Sequence, residues 1–217
     1  ALGMEVNPPA AARRERPAAL PRSGNERAPR VAIEVAAGLI DPGEDQSRLD
    51  FERSGYTRTE EIRAHLSLAA VVPLSRHLSL VGALSTLSGA EYALVGEADG
   101  PMAYKWRAYS VGVQARAGWP LGSRLTPFVQ AGAGATLAFD AVLAPVDDNR
   151  SESLGWHVRG GAGLLVRLSR SVALFSEAAY IAAPVHFGRN VAAQDYQGGG
   201  AALVVGGRLD FHRGDGP

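Results

Sequence analysis

The sequence predicts an all-β fold: eight antiparallel strands closing into an up-and-down barrel behind an extended N-terminal arm. Three observations predict it. Apolar residues recur at every second position through most of 31–211, glycine is over-represented, and long and short connections alternate. Period two marks strands whose two faces meet different surroundings, and the 3.6-residue period of amphipathic helices is absent. Glycine supplies 26 of 217 residues, against a usual share of about 7 %.

The arm comes first. Residues 1–30 hold Pro8, Pro9, Pro17, Pro21 and Pro29 among six Arg and three Glu. Such a stretch cannot bury enough apolar surface to offset its ordering entropy. Its net charge of +3 leaves 16 basic and 19 acidic residues in the rest of the chain. Arg13, Arg14, Arg16 and Arg22 are therefore the candidate partner-binding residues of the arm.

Each strand then places apolar residues on one face and polar or small ones on the other. Strand one, 31–39, opposes Val31, Ile33 and Val35 to Glu34. The second opposes Leu66, Leu68 and Val72 to Arg63, His65 and Ser67. The third, about 78–87, sets Leu78, Leu80 and Leu84 against Ser79 and Ser85. The fourth, 105–119, sets Tyr109, Val111 and Val113 against Ser110, Gln114 and Arg116. The fifth, 127–139, sets Val129, Leu137 and Phe139 against Gln130 and its neighbouring glycines. The sixth opposes Trp156, Val158 and Leu164 to His157, Arg159, Gly163 and Arg167. The last two, 172–182 and 199–211, place Glu177, Arg208 and Asp210 opposite Leu174, Tyr180, Leu203 and Leu209.

The polar face decides what kind of barrel this is. Glycine weakens strands, so a soluble sandwich keeps it scarce there. An eight-stranded barrel has an interior only wide enough for side chains to fill it, and glycines inside leave room for long polar ones. The expected internal network is Glu34, Arg63, His65, Gln114, Arg116, Gln130, His157, Arg159, Arg167, Glu177, Arg208 and Asp210, with charges paired or hydrated. Oil then covers the outside. A soluble lipocalin-like barrel reverses the faces and points Val129, Leu164 and Leu203 inward.

The connections point the same way. Long ones are expected at 41–60, 88–104, 140–153 and 183–197, and short ones at 73–76, 120–124 and 168–171. Transmembrane barrels alternate long outer loops with short periplasmic turns, which puts the N-terminal arm in the periplasm. Aromatics collect near the strand ends, so Trp106, Trp119, Phe128, Phe139, Trp156, Tyr180 and Phe211 are expected in two interfacial girdles. No run of about 18 apolar residues occurs, which excludes transmembrane helices. The arm has no apolar core of a secretory leader, as suits an unexported or an already processed chain.

Over roughly 31–211 the sequence resembles the small eight-stranded outer-membrane barrels of Gram-negative bacteria, of the OmpA transmembrane-domain and OmpX type. The carrying phrases are 128–134, Gly160-Gly161-Ala162-Gly163, 174–180 and the closing Arg208-Leu209-Asp210-Phe211. The resemblance implies a transmembrane barrel in the bacterial outer membrane. That family usually ends on its last aromatic, whereas 212–217 form a C-terminal extension here.

Composition closes most enzymatic routes. With Cys 0 there is no disulfide, thiolate nucleophile or zinc-thiolate site, and no phosphate-loop or dinucleotide spacing occurs. Lys+Arg 22 against Asp+Glu 22 gives no global attraction to nucleic acid. The triplets His65-Leu66-Ser67 and His77-Leu78-Ser79 resemble the His and Ser of barrel lipid A deacylases, yet that pair lies late in those chains. A base beside a serine also needs an orienting carboxylate and an oxyanion site. His157 and Glu177 lie on neighbouring strands, where one more lumen hydrogen bond is the simpler role. The loops 41–60, 88–104 and 140–153 sum to −9, a charge suited to solvated loops and only weakly to divalent cations. No catalytic residue, metal or cofactor is expected. The predicted role is a non-enzymatic structural or accessory subunit contacting outer-membrane lipid, lipopolysaccharide and other envelope proteins. The alternatives are a narrow pore and a lipid A-modifying hydrolase.

Overall fold

The computed structural model describes residues 31–41, 49, 52–53, 55–94, 102–143, 148–187 and 194–211. The arm, with Arg13, Arg14, Arg16 and Arg22, and the extension 212–217 lie outside the described residues. Among those described, eleven strands form: β1 (Val31–Asp41), β2 (Tyr56–Ile62), β3 (Ala64–Pro73), β4 (Leu78–Leu94), β5 (Met102–Gly118), β6 (Leu125–Leu143), β7 (Asp148–Arg167), β8 (Val172–Ala182), β9 (Pro184–Phe187), β10 (Gln194–Gln197) and β11 (Gly200–Phe211).

Eight of them close a ring. The order β1-β3-β4-β5-β6-β7-β8-β11 returns to β1, and every pairing is antiparallel. Closure through β1 and β11 matches Val31 with Phe211, so both ends of the barrel chain sit at the rim of the short turns. β2 adds an extra strand that pairs with the far end of β4 beyond the break at Arg63. A closed ring has no unpaired edge strand, and so it can lie in hydrocarbon with its backbone satisfied.

Stave height departs from the expected ten residues. β4 and β5 have 17 residues each, β6 has 19 and β7 has 20. Much of 88–104 and 140–153, expected as loop, is therefore hydrogen-bonded strand. About ten tilted residues cross a bilayer, so the β4–β5 and β6–β7 hairpins rise well past it on the long-loop side.

Alternation sorts the faces. Outward point Ile33, Val35, Leu68, Leu84, Val113, Val129, Leu164, Leu203 and Val205, all exposed. Charged side chains bound this apolar surface: Asp41, Arg63, Arg107 and Glu152 at the long-loop edge, and Arg76, Arg124 and Arg170 at the short turns, all exposed. Inward, near the long-loop end, Ile40, Leu87, Tyr92, Tyr104, Trp106, Ile181 and Val185 form an apolar plug. From the connection between β8 and β11, Ala183 and Val185 are buried in the same cluster. Ser88 on β4 donates through its backbone N–H and its hydroxyl to the Gly198 carbonyl, at 3.0 and 2.9 Å, across the mouth from β11.

Two expected girdle aromatics belong inside. Trp106 is 4 % exposed and Phe128 is 3 % exposed, both facing the lumen. The reason is parity: each shares its strand's inward set, Trp106 with Ser110 and Gln114, Phe128 with Gln130. Trp119, Phe139, Trp156, Tyr180 and Phe211 are exposed, and the Phe139 ring meets Tyr109 edge-on at 6.0 Å.

Candidate functional site in the barrel interior

Below the plug, side chains from six staves meet in one polar chain. Arg116 on β5 grips Glu34 on β1 with both terminal nitrogens, the outer of them at 2.8 Å. Its Nε donates at 2.8 Å to Gln130 Oε1 on β6, whose amide donates at 2.7 Å to Glu177 on β8. Arg159 on β7 closes on Glu177 Oε1 at 2.9 Å. On the other side Arg208 on β11 reaches Glu34 at 3.6 Å and Asp210 at 2.7 Å. Three guanidiniums thus face three carboxylates. The linked groups are charge-neutral as a set, as an enclosed ionic cluster must be.

Aromatic and small residues seat this chain. The Arg116 guanidinium lies 4.6 Å over the Phe128 ring, a cation–π contact that covers its unpaired face. A Cβ at Gly163 would come within 2.4 Å of that ring, and one at Gly161 within 2.5 Å of Glu177 Oε1. Glycine stands where a neighbour's long side chain crosses the wall.

The histidines sit higher. His65 is fully buried, and its Nδ1 donates to the Thr86 carbonyl at 2.6 Å. His157 Nδ1 lies 3.5 Å from the Thr136 hydroxyl. Ser85 and Ser110, paired at 2.7 Å, join Gln114, His157 and Arg159 around a cavity of about one water molecule's size.

Two expected members of the network are elsewhere. Arg63 is exposed in the break between β2 and β3, where its carbonyl accepts from Ile40 N–H at 2.8 Å near the end of β1. Arg167 keeps the inward parity but is exposed beside the turn 168–171, where the barrel opens to water. The catalytic candidates do not assemble. The bond from His65 goes to a backbone carbonyl rather than to Ser67, and His77 Nδ1 likewise bonds the Gly118 carbonyl at 3.0 Å. Glu177 is held by Arg159 and Gln130, not by His157. Among the described residues no group of three His, Asp or Glu side chains is placed to hold a metal ion. The Ser85–Ser110 pair and the Phe128 seat are absent from the sequence-level network, although both follow from strand parity.

A closed ring, an enclosed neutral ion cluster and an apolar exterior bounded by charge together invert a soluble protein's arrangement. The fold is that of a small outer-membrane β-barrel. Solved structures of this kind are similar to it. Neisserial surface protein A matches with a TM-score of 0.49 at 14 % identity, over 83 % of this chain and 96 % of its own. Ail, the attachment invasion locus protein of Yersinia pestis, matches with a TM-score of 0.44 at 12 % identity, over 85 % and 99 %. The outer membrane protease OmpT from Escherichia coli matches with a TM-score of 0.40 at 7 % identity, over 84 % and 94 %. No protein-family model matches the sequence, and no curated protein matches it significantly. Fold alone does not assign chemistry to this barrel.

Proposed function

We propose that this barrel resides in the bacterial outer membrane as a non-enzymatic structural or accessory component, joined to other envelope proteins through its arm or its outer loops. One observation carries the reading: the lumen is filled. The neutral cluster from Arg159 to Asp210 bridges the interior, and the apolar plug, to which Ala183 and Val185 contribute, lies above it. Eight strands leave no room for an aqueous path beside such a filling, and the His65 and His77 rings bond backbone carbonyls rather than a serine hydroxyl. Placing the short turns in the periplasm, as barrels of this class do, puts the arm there too, because β1 begins at that rim.

Planar-bilayer recording tests the filled lumen. The purified chain is expected to show no openings, and reproducible unitary conductance at the single-barrel level favours the pore instead. The association is tested by extraction in mild detergent. The full chain is expected to migrate with partners in a complex that a chain lacking 1–30 or carrying altered outer loops no longer enters. A barrel that elutes alone in native extracts overturns the accessory role.

A further inference from the structure

The three short turns repeat one small device. Leu74-Ser75-Arg76, Leu121-Gly122-Ser123-Arg124 and Leu168-Ser169-Arg170 each place a leucine, a serine and an arginine at the tip. In the first, the N–H groups of Leu74 and Ser75 donate to the Leu78 carbonyl at 2.9 and 3.0 Å, and Ser75 Oγ accepts from Leu78 N–H at 3.1 Å. In the third, Leu168 and Ser169 donate to the Val172 carbonyl at the same 2.9 and 3.0 Å, and Ser169 Oγ accepts from Val172 N–H at 3.1 Å. The middle turn closes through Leu121 N–H to the Leu125 carbonyl at 2.7 Å, with Gly122 at φ +70°. The serine hydroxyl or the glycine satisfies the turn, so the arginine is free for another task.

That task follows from where the arginines stand. Leu74, Leu121 and Leu168 are 59 %, 61 % and 59 % exposed and continue the apolar belt to its edge. Arg76, Arg124 and Arg170 are exposed one step further out, and none has an ion-pair partner among the described residues. The segments 73–78, 119–125 and 167–172 contain no Asp or Glu. The turns join β3 to β4, β5 to β6 and β7 to β8, so the three cations are spread around the circumference. A protein partner touches one side of a barrel, whereas lipid surrounds it.

We propose that the short-turn rim is a headgroup-binding ring, in which Arg76, Arg124 and Arg170 hold the phosphates of anionic phospholipids while the adjoining leucines enter the acyl boundary. The inference rests on the membrane reading of the barrel. Arginine suits the role because its planar fork engages phosphate oxygens in pairs while its stem lies along apolar surface.

Trp119, exposed beside the middle turn, is a local reporter. Trp106 is buried and Trp156 lies toward the other rim, so the full chain carrying Trp156→Phe reads lipid at Trp119. The protein is reconstituted in bilayers containing phosphatidylcholine and phosphatidylglycerol, with bromine on the acyl chains of one or the other. The quenching is expected to show phosphatidylglycerol enriched about fivefold, the scale of one basic residue near an anionic surface. The ratio is expected to fall to about 1 in R76Q/R124Q/R170Q and to persist in R76K/R124K/R170K. Raising salt from about 0.05 to 0.5 M on the W156F chain collapses it as well, with no risk to folding. A ratio near 1 in the W156F chain, or one unchanged by salt or by the glutamines, overturns the ring. Failure of brominated phosphatidylcholine to quench Trp119 at all shows a chain outside the bilayer and overturns the membrane reading first.

Discussion

Glu34 carries the largest share of the lumen's charge balance, because Arg116 and Arg208 both converge on its carboxylate. Glu34→Gln keeps the shape and removes the charge, leaving two guanidiniums in the interior with Asp210 as the nearest compensation. Breaking an enclosed pair from one side costs about 3–5 kcal/mol, whereas replacing both partners by apolar groups of similar volume is nearly neutral. Urea unfolding from vesicles is therefore expected to show a loss of that size for Glu34→Gln and a recovery of half or more in Glu34→Leu/Arg116→Met. Equal losses in the two variants count against a coupled network. The participants were readable from strand parity because alternation fixes which face a side chain takes. Exposure at the ends was not readable: Arg63 and Arg167 share the inward parity, but a break and an open rim surround them. Trp106 and Phe128 show the opposite error, since aromatic character outweighed the parity that places them inside.

At the scale of the strand, glycine acts by position. At Gly134 on β6 a Cβ would meet Gly112 Cα at 2.4 Å and the His157 ring at 2.7 Å, whereas at Gly160 on β7 nothing lies within 4 Å. Gly134→Val overpacks the wall and is expected to cost about 1–3 kcal/mol or more. Gly160→Val adds a β-branched side chain on the outer face and is expected to stabilise by roughly 0.5–1 kcal/mol. Unfolding midpoints of the two variants, compared in the same lipid, are expected to move in opposite directions. Matching shifts remove the inward and outward distinction between these glycines. The eight staves were legible in the alternation, but strand length was not, nor were β2, β9 and β10, most of whose residues fall in the expected loops 41–60 and 183–197. Loss of hydrophobicity past Arg107 or Glu152 marks where the bilayer ends, while pairing between β4 and β5 and between β6 and β7 continues in water.

For the whole molecule, the quantity that matters is depth. The exposed apolar residues occupy a band between two charged edges, and a band of hydrocarbon penalises a buried charge most at its centre. Val113 lies midway along the outer face of β5, between Arg107 and the short turn at 119–124, and Leu154 sits next to Glu152 at the upper edge. Val113→Arg is expected to destabilise by about 2–4 kcal/mol and Leu154→Arg by about 0–1 kcal/mol when unfolding is followed from bilayers. A soluble barrel gives no such gradient, because both sites are exposed and surface substitutions in water stay within about 0.5 kcal/mol. Equal costs at the two depths are thus incompatible with a membrane-spanning belt. The gradient also fixes the frame for the rim arginines, since side chains at Arg76, Arg124 and Arg170 reach headgroups only if the zero-cost boundary falls at the leucines beside them.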